Sequence, residues 1–203
     1  MIFMNFFGKR NTKRHLCRKS SIVLHLNMRL MPFDRADHFE DPIDDILHKH
    51  DVGEVTGGGT SLSTDGMPIS CDIDFCIKND KIDSFISFLK NTRTIAKGSY
   101  IQYLDTKIDI GVLEGLELIL DGTGLSKEVY EENDVNDVIS ELNVLLNEKG
   151  QYYSHYIGKK DTSLYFYGIS FDEMKNIIAK YAESCPLCKN SIINKIWVCF
   201  IDY

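Results

Sequence analysis

Asp41-Pro42-Ile43-Asp44-Asp45-Ile46-Leu47 returns, 92 residues later, as Asn133-Asp134-Val135-Asn136-Asp137-Val138-Ile139. In each stretch an acid or amide suited to an N-cap precedes apolar residues at helical spacing, so each predicts the opening of a helix. The same offset holds outward in both directions. Upstream, the alternation Leu24, Leu26, Met28 falls on Leu116, Leu118, Leu120, the pattern of strands with one buried face. Downstream, each half has two strand-like runs, Val52 to Leu62 with Ser70 to Ile77, and Gln151 to Ile157 with Thr162 to Ile169. Their connections, Ser63-Thr64-Asp65-Gly66 and Gly158-Lys159-Lys160-Asp161, have turn compositions. Then Ile82, Phe85, Ile86 and Leu89 lie over Met174, Ile177, Ile178 and Tyr181, and Ser99 to Gln102 over Ser191 to Asn194.

Each half therefore reads strand, helix, strand, strand, helix, strand. This is the split pattern of a ferredoxin-like module, and the predicted fold is α+β: a tandem duplication with antiparallel sheets and helices on one face. The expected organisation is a basic tail at 1–20, a first repeat at 21–105, a linker at 106–113 and a second repeat at 114–198. Modules of this size are small for independent stability, so the halves are expected to fold against each other.

Of the 203 residues, 43% are hydrophobic, 26% charged and only four are proline, which excludes a disordered, collagen-like or disulfide-dense chain. The net charge of −7 hides a split. Lys9, Arg10, Lys13, Arg14, Arg18 and Lys19 stand in an acid-free start, and removing them leaves a body at −13. Such a body is a poor partner for duplex nucleic acid, which demands clustered bases. No stretch has the apolar length of a membrane span. The basic run follows Met1 to Phe7 instead of preceding an apolar segment, the wrong order for export. The start reads as a solvated tail, with a mitochondrial presequence or a foothold on an anionic membrane as alternatives. Cysteines 17, 71, 76, 185, 188 and 199 form no disulfide framework and read as reduced in a cytoplasmic protein. Cys185-Pro-Leu-Cys188 follows a helical pattern, at the helix end that disfavours a thiolate, and reads as structural, with zinc or redox chemistry as the alternative.

Period-two alternation assigns the strand faces. In the first half His25, Asn27, Arg29, Glu54, Thr56, Asp72, Asp74 and Gln102 are expected opposite the helices, making a polar, partly acidic face. In the second half Ile119, Tyr152, Tyr156, Leu164, Phe166, Ile192 and Ile196 are expected there. A face so apolar is expected to be covered by the other half, by a second copy in a homodimer, or by a protein partner.

Gly57-Gly58-Gly59-Thr60 followed by Asp72-Ile73-Asp74 resembles the minimal nucleotidyltransferase signature. That resemblance implies a phosphate-cradling turn at Gly57, Gly58, Gly59 and Thr60, a magnesium-binding pair in Asp72 and Asp74, and Asp109 as a third carboxylate. Two features stand against it. The signature wants a helix after the glycines, where this chain has Asp65-Gly66 and Pro68, and Asp109 falls between the repeats. If the glycines form one strand in a hairpin with Asp72, the enzyme reading fails. An RNA-recognition surface is disfavoured because Asp72 and Asp74 occupy the strand that would stack bases. His48 and His50, two apart in a helix, share no face for a metal.

The phrases Gly53-Glu54-Val55-Thr56-Gly57-Gly58-Gly59-Thr60, Leu120-Asp121-Gly122-Thr123 and Leu164-Tyr165-Phe166-Tyr167-Gly168 resemble an uncharacterised bacterial protein family over residues 20 to 197. The resemblance implies a small cytosolic bacterial protein. In character the chain is also similar to immunity proteins of secreted toxins. The leading expectation is a non-enzymatic acidic protein, without cofactor or metal, that docks a basic protein partner through Glu54, Asp72 and Asp74, with Tyr152 and Phe166 as anchors. The alternatives are the magnesium-dependent nucleotidyltransferase and a small-ligand sensor, whose mark is a pocket lined from both repeats.

Overall fold

The computed structural model describes residues 19–197; residues 1–18 of the tail expected at 1–20, Cys17 among them, and Cys199 lie outside these, whereas Lys19 and Ser20, expected as tail, open the first strand. The first repeat begins with β1 (Lys19–Leu26), followed by one helical run in three pieces: α1 (Pro32–Arg35), a π-helical turn (Ala36–Glu40) and α2 (Asp41–Lys49). The hairpin β2 (Gly53–Leu62) and β3 (Pro68–Lys78), then α3 (Ile82–Asn91) and β4 (Ser99–Tyr103), complete it. A further strand, β5 (Thr106–Ile110), precedes the second repeat. That repeat runs β6 (Glu114–Asp121), α4 (Lys127–Glu132), α5 (Val135–Leu146), β7 (Gly150–Ile157), β8 (Asp161–Gly168), α6 (Phe171–Ala182) and β9 (Ile192–Ile196).

The sheet orders are β2-β3-β1-β4-β5 and β7-β8-β6-β9, with every neighbouring pair antiparallel. Set by position in each repeat, both contain the order second, third, first, fourth. This is a duplicated ferredoxin-like module. The segment expected as a linker is instead largely strand: β5 pairs with β4 from Ser99↔Ile110 to Tyr103↔Thr106 and widens the first sheet. Beyond it Gly111 turns the chain at φ +97°, where a Cβ would lie 2.0 Å from the Ala96 carbonyl oxygen. Only glycine fits there.

The repeats share an irregularity as well as a topology. Register slips in β2 between Val55 and Gly57, and in β7 between Tyr152 and Ser154. In both, the residue before the bulge donates its main-chain N–H to a helix side chain, Val55 to Asp44 and Tyr152 to Asn143, at 2.7 and 2.8 Å. A free edge donor is thereby satisfied in each edge strand.

Asp41 does not open a helix as expected. The run already begins at Pro32, and Pro42 lies inside it. Proline has no N–H for the carbonyl four residues back and crowds that carbonyl, so the turn before it widens and Asp41 N–H donates to Ala36 O. The wide turn brings Arg35 and Glu40, five residues apart, to 2.6 Å. Their second-repeat counterpart is a real break: Asp134 caps α5, accepting from the Asn136 N–H at 2.8 Å.

Two cores result. Leu116, Leu118, Leu164 and Phe166 pack under α5 and α6 with Val138, Leu142, Met174 and Ile178. The larger core joins β1 and β3 to α2 and α3 and extends into the second repeat through Tyr153, Tyr165 and Tyr167. Among the described residues, no helix is long and apolar enough to cross a membrane.

Candidate functional site

The helices of the first repeat cover the face bearing Leu24, Ile73 and Phe75, and no described helix covers the other. Strand pairing fixes two rows across this open face. One runs Gly59, Asp72, His25, Tyr100, Asp109 and the next Gly57, Asp74, Val23, Gln102, Lys107. The His25 imidazole Nδ1 is 2.7 Å from Asp72 Oδ1, and its ring stacks on Tyr100 with centroids 4.6 Å apart. Lys107 Nζ stands 3.8 Å from the centre of the Tyr100 ring. Asp74 and Asp109 form no ion pair among the described residues.

Gly57, Gly58 and Gly59 are strand, paired in register with Asp74, Ile73 and Asp72. The expected phosphate turn is absent, since β2 continues through Thr60 to Leu62 with no helix N-terminus after it. Asp109 lies on the same face as Asp72 but three strands away, roughly 14 Å, too far for one metal to bridge. The glycines have another cause. A Cβ on Gly58 would fall 2.2 Å from Glu40 Oε1 and 2.9 Å from Asp72 O, so this position makes room for the Arg35–Glu40 pair beneath the sheet. Arg35 Nη1 also donates to Thr60 Oγ1 at 2.7 Å, which makes Thr60 a structural partner. Gly57 and Gly59 point the other way and leave the open face without side chains beside Asp72 and Asp74.

Of the expected partner contacts, Asp72 and Asp74 are on the open face. Glu54 is held by Lys19 at 2.5 Å, and that ammonium keeps its carboxyl below the usual range. Phe166 and Leu164 are corrected: they pair with Leu116 and Leu118 and lie fully buried on the helix side. Tyr152 is corrected too, packing edge-on against Phe166 with its hydroxyl 2.6 Å from His155 Nδ1. Burial, with the Asp34 charge nearby, pushes the Tyr152 phenol up to about 12.

The outer face of the second sheet instead carries Tyr167, Tyr165 and Ser163, opposite Gly115, Glu117 and Ile119, together with Tyr153 from the bulge. The first repeat covers its upper part. The Arg29 N–H donates to the Tyr167 hydroxyl at 2.7 Å, and Arg29 Nη1 to Glu117 Oε1 at 2.9 Å. Ser154 Oγ accepts from the Met31 N–H and donates to Asp34 Oδ2, and His38 Nε2 donates to Tyr153 O. Below this seam the repeats part into a cleft of about 720 Å³. The β2–β3 hairpin, Ser63 to Met67, forms one wall; Glu117, Ile119, Tyr156 and Ser163 form the floor; and the β7–β8 hairpin, Gly158 to Asp161, closes the far end. The Tyr156 hydroxyl donates to the Asp65 carbonyl and ties floor to wall. Arg29, Ile119 and Tyr156 stand in this cleft as residues expected opposite the helices, and a pocket lined from both repeats is the mark expected of a small-ligand sensor; Glu117 and Ser163 escaped the sequence reading, although alternation in β8 held the signal once the pairing with β6 was known.

No protein-family model matches the chain, and no curated protein matches it. Among solved structures it is similar to the ligand-free regulatory subunit of aspartate kinase from Thermus thermophilus, at 8% identity over 79% of this chain and 91% of that one, with a TM-score of 0.28. It is also similar to an unknown protein from Galdieria sulphuraria, at 10% identity over 87% and 97% of the two chains, with a TM-score of 0.26. At such scores neither likeness bears on function, and the fold rests on the strand orders themselves.

Proposed function

We propose that this is a non-enzymatic binding protein of the cytoplasm, of the immunity type, that docks a basic protein partner on the open face of the first sheet. One observation carries the reading: Asp72, Asp74 and Asp109 stand on a single sheet face that no described helix covers, beside a strand that Gly57 and Gly59 leave bare. A flat surface with protruding carboxylates suits a partner presenting Lys and Arg, and the −13 body adds a long-range field that speeds encounter. The face is not purely acidic, because His25 neighbours Asp72 and Lys107 covers Tyr100. That mixture adds a preference for charge pattern to the general attraction for Lys and Arg.

The test is a titration of the isotope-labelled chain with a lysine-rich peptide of about ten residues, at low and at roughly 150 mM salt. Amide shifts are expected on β3, β4 and β5, weakening with salt and lost in the triple variant Asp72→Asn, Asp74→Asn, Asp109→Asn. Shifts spread evenly over the molecule, or unchanged in that variant, would overturn the reading.

A further inference from the structure

The cleft between the repeats is a second surface, independent of the open sheet face. Its volume, about 720 Å³, lies within the range that holds cofactor-sized molecules. Its basic groups stand at opposite ends. At the inner end Arg29 is fixed by Glu117 at 2.9 Å and lies over the Tyr165 ring, 5.6 Å from its centre. At the outer end are Lys159 and Lys160, neither of which forms an ion pair among the described residues. The acids of the cleft are partly engaged already. Glu117 holds Arg29, and Asp161 folds back on Gly158, where a Cβ would meet its Oδ1 at 2.5 Å. Asp65 remains at the rim.

A second observation points to the same place. The Tyr165 hydroxyl is buried and makes no hydrogen bond of ordinary geometry among the described residues, with the Ser163 and Arg29 side chains as its nearest donors. Tyr165 is 0% exposed, and buried hydroxyls are rarely left unpaired. The polar side chains near enough to act on this phenol are Glu117, Arg29 and Ser163, and all three line the cleft. An oxygen arriving between Arg29 and Ser163 would meet a guanidinium and have an unused O–H donor behind it.

We propose that the inter-repeat cleft binds a small, elongated anionic molecule. Its acidic oxygen group, phosphate or carboxylate, sits at Arg29, Ser163 and the Tyr165 hydroxyl, and its far end reaches Lys159 and Lys160. Met67 and Ile119 supply the apolar contact between the two ends.

The experiment uses calorimetry and amide shift mapping of the full chain with three probes: inorganic phosphate, adenosine 5′-monophosphate and succinate. The first two carry phosphate and the third carboxylates, so the arms separate the two sources. One class is expected to bind with shifts at Met67, Ile119 and Ser163. Affinity is expected to fall about tenfold in Lys159→Gln/Lys160→Gln and again in Tyr165→Phe, as charge-assisted and buried hydrogen bonds are lost. Tyr165→Phe keeps the buried ring and removes a hydroxyl that makes no hydrogen bond of ordinary geometry, so the variant is expected to fold and its binding can be read. No binding of any probe up to about 10 mM, well above useful affinity, would overturn the proposal. Equal binding in both variants would do the same, as would loss in the lysine variant alone, which would place the anion on the hairpin surface.

Discussion

The main-chain N–H of Arg29 in the first repeat donates to the Tyr167 hydroxyl of the second at 2.7 Å, joining the end of one module to the sheet face of the other. Burial holds the Tyr167 phenol well above its ordinary pKa, so this hydroxyl stays neutral. Tyr153 and Tyr165 lie beside it in the same core as Phe39, Ile43 and Leu47.

Tyr167→Phe keeps the ring and strands the Arg29 N–H in the seam. The expected cost is about 1–3 kcal/mol, the penalty of an unpaired, partly buried donor. Urea unfolding followed by both far-ultraviolet and tyrosine signals measures it. Because the larger core spans both repeats, the two signals are expected to move together. Separate transitions would show the repeats to be independent folding units.

Gly58 and Gly59 are neighbours with opposite tolerance. In Gly58→Ala the new methyl collides with the Glu40 carboxylate and the Asp72 carbonyl, and a loss of about 1–3 kcal/mol is expected from overpacking. Gly59→Ala meets no atom within 4 Å and is expected to be neutral or slightly stabilising. Thermal unfolding of the two variants side by side is the check, and equal melting points would refute the packing account.

Glu114 accepts from the Phe171 N–H at 2.9 Å, from Lys97 at 2.9 Å and from Lys195 at 3.3 Å. These donors, the main-chain one foremost, hold its carboxyl at about 2, against 4.5 ordinarily. The unfolded chain therefore takes up this proton first as pH falls. The contribution is complete above about pH 4.5 and is lost as the pH falls toward 2. In Glu114→Gln the stability of the chain is expected to fall less steeply across that window, as read from denaturation midpoints at successive pH values. An unchanged slope would remove Glu114 from the account.

Phe166→Ala separates a core residue from a surface anchor. Fully buried beneath α5 and α6, Phe166 is expected to cost about 3–5 kcal/mol on truncation. Asp74→Asn, on the open face and without an ion pair among the described residues, is expected to stay within about 0.5 kcal/mol. Calorimetric unfolding of both variants decides, and a stable Phe166→Ala would restore the residue to the surface.

The duplication was legible because buried positions recur with helical or strand period, and packing forces that recurrence on any sequence of this fold. Asp41 misled because its composition is that of an N-cap, while the actual opening at Pro32 has no side-chain cap. Phe166 was placed on the wrong face because parity in β8 depends on which residue sits opposite Leu116, a long-range fact. Tyr152 was misplaced by the bulge after it. Strand β5 did leave a trace, in the alternation of Thr106, Ile108 and Ile110 with Lys107 and Asp109. It brought Asp109 onto the face with Asp72, by a route the sequence reading had treated as linker. The cleft depends on how the two modules dock, which no local pattern encodes.

The docking of the modules is heterologous: a sheet face of one receives the end of the other, and no two-fold axis relates the contact. Contacts of that kind do not close on themselves. The second sheet has spent the upper part of its outer face on its sibling, whereas the first sheet retains an equivalent face that no described helix covers. Duplication thus left one copy with a bare sheet face while the other became its scaffold, and the asymmetry of the pair, more than any single residue, gives this chain that face.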